Sequence, residues 1–399
     1  MWTNRKSVGM LAACLLLHAG TPRADEGQLQ VHGFFSQAAV HTDGNDVGGN
    51  SDGGWGLDMR EMGINASYRP NADWLLSGQA LARWAGSSDE GDLRVDYAFV
   101  DRTLVSDETQ RIGLQVGKVK NPYGFYNTTR DVAHTRSGII LPQSVYIDEL
   151  RNTFLAAPGV SLNGNRYFND SSLEWTVNLI TPEVDAESLT RYMLSKNYPG
   201  HFEGKNSWLA QGIWEQEGAR WRVGLTLGNV QMRYKSTNAP FPADLSAGHI
   251  ALHTGVLSLE HNRETWSLTA EYVLTRQIRD GLIPFAPGNP LDKDTTIEAG
   301  YLQGTWRFQP RWQAYARYEA LYLDKDDKNG SDFGGGTKSP QRFSRDKVIG
   351  VRYDPNQSWA LSAEYRDVDG AGWLSRIDNP TTQMQQHWKM LMLQAAYRF

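Results

Sequence analysis

From residue 29 onward the chain alternates apolar and polar residues in short segments, and the connections between them are alternately long and short. Strand side chains point to opposite faces with a period of two, so each segment has one apolar and one polar face. The last one is the clearest: Leu391, Leu393, Ala395, Tyr397 and Phe399 share a face, and the sequence stops on that aromatic. Sixteen such strands can be counted, with eight long loops and seven short turns between and around them.

The segments are placed by their flanking turns. They run near Leu29–Val40, Leu57–Tyr68, Trp74–Trp84, then Leu93, Val95, Tyr97 and Phe99 on one face of a fourth, and Arg111–Lys118. A long connection, about Val119–Pro158, precedes Gly159–Phe168. Later strands carry Leu173 to Leu179, Trp208 to Trp214, Trp221 to Leu227, Ile250–His261, Trp266–Thr275, a stretch ending in Phe308, Trp312–Leu323, Ile349 to Tyr353, and Trp359 to Tyr365. Pro, Asn and Asp sit in several of the short turns, where they preset the backbone. Trp74, Trp221, Trp266, Trp312 and Trp359 each open a strand just after a short turn. Five tryptophans at one height form a girdle, which a soluble sandwich has no reason to repeat.

These features predict an all-β transmembrane antiparallel barrel of about 16 strands, occupying residues 25–399. A mean hydropathy of −0.53 is what such a barrel shows, because only one face of each strand meets lipid. Residues 1–24 read as a signal peptide: Arg5 and Lys6, then a short apolar run from Val8 to Leu17. Cleavage after Ala24 is expected, although Pro22 suits it poorly, and a cut near Ala19 or Gly20 is the alternative. Leu11 to Cys14 resembles a lipoprotein box with too little apolar sequence before it. Cys14 is the sole cysteine, so a chain cut after it has no thiol chemistry. The net charge of −5 argues against nucleic acid as a partner. No metal or cofactor is expected; Asp43-Gly44-Asn45-Asp46 departs from a calcium loop where Val47 and Gly54 fall at ligand positions.

The inward positions read as polar: Arg83, Arg94, Asp96, Arg222, Glu271, Arg317, Glu319, Arg352, Glu364 and Arg366 are the expected pore lining. Sixteen strands enclose a channel wide enough to stay wet. Leu75, Leu81, Tyr315, Leu321 and Trp388 are apolar positions that could fill part of it. The connection Val119–Pro158 is the third external loop. It starts from Gly117-Lys118-Val119-Lys120-Asn121-Pro122-Tyr123-Gly124. In its position, its length and this lead-in, together with the terminal strand, the chain resembles the general porins and the phosphate-selective porin group.

That resemblance implies a third loop folded toward the lumen, residence in the cell outer membrane, and passive diffusion of small hydrophilic solutes or ions. It also implies contact with outer-membrane lipid and lipopolysaccharide, delivery by the barrel-assembly machinery through Tyr397 and Phe399, and a homotrimer, which one sequence cannot fix. The expected constriction is Lys118, Lys120, Arg130, Asp131, Arg136, Asp148, Glu149 and Arg151. Tyr146, Leu150 and Phe154 recur at four-residue spacing, so the pattern predicts a helix over Ser144–Leu155. Arginines modestly outnumber acids on the inferred lumen face, which suits a weak anion preference at the constriction; arginines facing acids across a pore could equally orient dipolar solutes with little selectivity. Two rivals remain: a closed barrel acting as receptor or structural protein, and an outer-membrane lipid hydrolase using His134 and Ser137, which lack a nucleophile setting. The expectation is no enzyme.

Overall fold

The computed structural model describes residues 27–399 apart from 185, 195–196, 241–242, 283–293, 334–335 and 337; the signal-peptide expectation lies outside them. Sixteen antiparallel strands close into a barrel, each paired with its sequence neighbours and β1 with β16. The first four are β1 (Leu29–Asp43), β2 (Trp55–Asn71), β3 (Trp74–Ala85) and β4 (Arg94–Ser106). Next come β5 (Gln110–Lys120), β6 (Ala156–Tyr167), β7 (Ser171–Ile180) and β8 (His201–Gln216). Then follow β9 (Trp221–Lys235), β10 (Gly248–Asn262), β11 (Trp266–Asp280) and β12 (Thr295–Gln309). The last are β13 (Trp312–Tyr322), β14 (Phe343–Tyr353), β15 (Trp359–Gly370) and β16 (His387–Arg398). Two short helices lie in the loops: α1 (Arg151–Leu155) and α2 (Glu187–Leu194).

The outward residues form an exposed apolar belt that includes Leu225, Leu257, Leu274, Leu302, Leu361 and Leu393. Such a belt is stable only against lipid. Below it the short-turn aromatics pair across strands. Trp266 is in register with Trp306, Trp312 stacks on Tyr353 at 4.5 Å, and Trp359 lies 4.9 Å from Tyr397. At the seam, Gly33 and Phe399 exchange two backbone hydrogen bonds, of 3.2 and 3.0 Å. The Phe399 ring covers Gly33 so closely that a Cβ there would sit 2.4 Å from it.

Two expectations about the strands are corrected. Tyr97 and Phe99 do not share a face with Leu93 and Val95. The pairing of β3 with β4 shifts register between Gln79 and Ala80, leaving Asp96 as a bulge. Beyond it the exposed residues are Ala98 and Val100, and Tyr97 and Phe99 turn to the lumen side with Asp96.

The lumen is also less polar than expected. In the external half of the barrel, Val230, Met232, Ile250, Leu252, Val273 and Leu321 are all buried. They pack on loop residues, among them Leu189, Tyr192 and Leu194 of α2 and Trp373 and Leu374 of the last loop. Leu81, Tyr315 and Trp388 are buried as well.

Candidate functional site: the third loop and the lumen it divides

The connection from β5 to β6 (121–155) leaves the wall at Lys120 and crosses the lumen. Gly124 makes its first sharp turn at φ +57, where a Cβ would lie 2.2 Å from the Tyr146 hydroxyl and 2.7 Å from Glu271. Glycine is therefore required both for the backbone angle and for the close approach. Glu271 of β11 is the anchor beneath. It accepts from Tyr146 (2.6 Å), Tyr301 (2.9 Å), Ser258 (2.6 Å) and the Phe125 amide (2.9 Å).

Three more wall residues hold the loop. Glu319 accepts from the Ser144 amide at 3.0 Å, and Glu364 from the Ile139 amide at 2.9 Å. Arg352, next to the short-turn end of β14, donates to the carbonyls of Ala133 (3.2 Å) and Arg136 (2.7 Å). The loop thus reaches deep into the barrel. The Ser144–Leu155 helix is shorter than the spacing predicts. Asp148–Leu150 is a single 3-10 turn and α1 begins at Arg151. The Tyr146 amide makes one helix-like bond, to the Pro142 carbonyl at 2.9 Å, but the Ser144 amide goes to Glu319 and the Tyr146 carbonyl accepts from Arg130, so the turn is not continued.

Most of the predicted charges converge in two networks. In the first, Arg83 bonds Glu61 at 2.8 Å, Asp89 at 3.3 Å, and Asp148 of the loop. Arg94 joins through Asp89 at 2.8 Å. Arg151 bonds Asp131 and, at 3.3 Å, Asp96. Burial works to raise the Asp131 carboxyl, but Arg151 holds it below its ordinary range. In the second network, Arg366 bonds Glu364 (2.7 Å), Glu319 (2.8 Å) and Asp346 (3.3 Å), and Arg317 bonds Glu319 at 3.2 Å. Trp373 of the last loop donates to Asp346 at 3.0 Å. Glu61, Asp346 and Trp373 were not expected here. Only the alternation around them could have pointed to Glu61 and Asp346, and nothing in the sequence marks Trp373.

Other predicted residues stand apart. Lys118 is in register with the exposed Ala98 and Pro158 and bonds Glu183 at 2.6 Å, so it lies on the outward side, away from the constriction. Plain alternation puts it there: Lys118 continues the outward face of the exposed Val116. Lys120 lies 4.4 Å above the Tyr97 ring and donates to the Thr128 carbonyl. Arg222 stacks 4.6 Å over Phe125 and bonds Glu260 and Glu215, near the short-turn end. Arg136 donates to the carbonyls of Arg130 and Ile139. Glu149 accepts from Ser88 at 2.7 Å, and burial pushes its carboxyl up to about 7. His134 sits beside Arg352, far from the outer surface where a lipid hydrolase would need it.

The loop divides the lumen. On one side, against β16, β1, β2 and β3, is a charged opening. Its lining includes Ser36, Gln143 and Gln394, with Arg60, Arg83, Arg130, Arg136 and Arg151 against Glu61 and Asp148. On the other side, against β10 to β13, is an apolar cavity. Among the described residues, no three His, Cys, Asp or Glu side chains converge as a metal site requires.

Solved structures of the same architecture place this geometry. The outer membrane channel DcaP of Acinetobacter baumannii is similar over 96% of this chain and 100% of that one, at 13% identity and a TM-score of 0.55. The chain has the fold of the outer-membrane porins. An anion-selective porin from Comamonas acidovorans is similar over 94% of this chain and all of its own, at 10% identity and a TM-score of 0.58. OmpT of Vibrio cholerae, an outer membrane protein solved in a trimer form, is similar over 94% of this chain at 13% identity and a TM-score of 0.56. No family model and no curated protein matches the sequence. At these identities the likeness shows a shared fold.

Proposed function

We propose that this barrel is an outer-membrane channel for passive diffusion of small hydrophilic solutes, with an anion preference set at the third loop, and that it has no catalytic role. One observation carries this reading: the charged opening between the loop and the β16–β3 wall, with five guanidinium groups in its lining against two carboxylates. Charged side chains at a constriction select ions by sign, and guanidinium suits carboxylate and phosphate. The outward belt supports an outer-membrane setting in contact with lipid and lipopolysaccharide. The trimer form of the OmpT neighbour supports a homotrimer, and Phe399 at the seam supports a part in assembly.

Reversal potentials of the refolded protein in a planar bilayer under a potassium chloride gradient test this. Stable steps with a potential of the anion-preferring sign are expected. Firm cation preference overturns the anion assignment. A second reading, a closed barrel acting as receptor, is favoured by the apolar packing of α2 and the last loop in the external half. Silence from a verified folded barrel would select it.

A further inference from the structure

The cavity behind the third loop has the wrong chemistry for a simple aqueous pore. Its walls are mostly apolar: Leu252, Val273, Ile297 and Leu321 on the barrel side, Tyr146 and Phe154 on the loop side, and Tyr192 and Met193 of α2; Thr254 and Thr275 of the same wall bond each other at 2.8 Å. A water-filled passage has no need of such a lining, and a hollow of this polarity suits an apolar body.

One cation joins the cavity to the charged opening. Arg130 is in the lining of both. It is buried, 6% exposed, and its contacts are long: 3.3 Å to the Tyr146 carbonyl, 3.5 Å to Asn127 and 3.6 Å to Asp148. A satisfied charge-assisted bond is about 2.7–2.9 Å. Asp148 is moreover shared with Arg83, which it bonds directly. Burial with so little compensation brings the Arg130 guanidinium down to about 10. The Ser144 hydroxyl, also in the cavity lining, is buried with no hydrogen-bond partner among the described residues. A buried cation and an orphan hydroxyl beside an apolar hollow lack one thing, an anion with an apolar body.

We propose that the cavity behind the third loop is a binding subsite for small carboxylates with an aromatic or aliphatic body, the carboxylate seated at Arg130 and the body between the loop and strands β10 to β13. This rests on the channel reading and names the solute class for it. Charge complementarity selects the carboxylate end, because an apolar body alone would leave Arg130 as it is. The lining selects the body, because acetate or chloride gains nothing from it.

The test compares phenylacetate, acetate and benzyl alcohol by calorimetry on the detergent-solubilised, folded full-length barrel, and reads chloride conductance of the same preparation in bilayers. Phenylacetate is expected to bind about tenfold or more tightly than either relative, since it alone meets both features. Arg130→Gln should remove that advantage and Arg130→Lys should keep part of it. Val273→Phe, which fills the hollow from the wall, should weaken phenylacetate about tenfold. Heat-modifiable migration on gels verifies that each variant is folded. Equal affinity for phenylacetate and acetate overturns the subsite, as does a folded Val273→Phe protein that binds phenylacetate unchanged. Conductance separates this from the channel reading: a barrel silent to chloride that still prefers phenylacetate sinks the channel and keeps the subsite. A conducting barrel that ignores phenylacetate does the reverse.

Discussion

Tyr146 donates its hydroxyl to Glu271 at 2.6 Å, bonding the middle of the third loop to a strand 125 residues further along the chain. The same hydroxyl accepts the Tyr126 amide at 3.0 Å, so it ties the two limbs of the loop together as well. Tyr146→Phe removes both bonds and keeps the ring. Glu271 retains three donors, so the barrel should stay folded with a loss of about 1–3 kcal/mol. The loop should be released locally, seen as larger and noisier conductance steps in bilayers. Steps indistinguishable from wild type would show that the bond does not hold the loop in place.

Arg83 is the hub of charge at the opening, bonded to Glu61, Asp89 and Asp148. Arg83→Gln takes away one cation and leaves those carboxylates with less compensation. The reversal potential in a salt gradient should move toward the cation-preferring sign. Glu61→Gln should move it the other way. If neither substitution shifts the potential, the permeation path does not pass this network.

Glu149 should make the loop sensitive to pH. Its carboxylate bonds Ser88, and Ser88 bonds Ser375 at 2.9 Å, joining the third loop to the loops 86–93 and 371–386. Burial raises this carboxyl to about 7, with Asp148 and Asp378 adding in the same direction. An acid raised on folding binds its proton more tightly in the docked state. Its contribution is fully present below the ordinary glutamate value of about 4.3 and is lost as pH rises through about 7. Loop closure should therefore be firmest near pH 5 and loosen by pH 8, read as rising open-channel noise. Glu149→Gln should flatten the profile, and a wild-type profile already flat from pH 5 to 8 would refute the assignment.

The barrel and its girdle were legible because lipid on one side forces a period of two on every strand. The sixteen strands, the alternation of loop lengths and the Trp-led short turns all stand in the structure. The Asp96 bulge was not legible, because a register shift is a property of two strands and Tyr97 and Phe99 keep a perfect alternation in one. The apolar half of the lumen was hidden for a related reason. Period-two reading assigns the apolar face to lipid, and inward residues such as Met232 and Leu252 become apolar only because loops descend onto them. The loop's anchors were half visible: Glu271, Glu319 and Glu364 read as polar and inward, but what they bind, amides and a phenol of the loop, leaves no pattern in sequence.

The seam offers the most direct test of how the barrel closes. Gly33 and Phe399 bond through their backbones while the Phe399 ring lies over the glycine. Gly33→Val would place carbon atoms inside the space the ring now fills. Either the ring leaves or the strands separate, at a cost of about 1–3 kcal/mol. Phe399→Ala should relieve the clash, so the double variant should close better than Gly33→Val alone. That order is the reverse of two independent losses, which would simply add. The folded fraction in detergent refolding, read by heat-modifiable migration, measures it. If the double variant refolds worse than Gly33→Val, the ring acts at another step, such as recognition during assembly, and the packing at the seam is secondary.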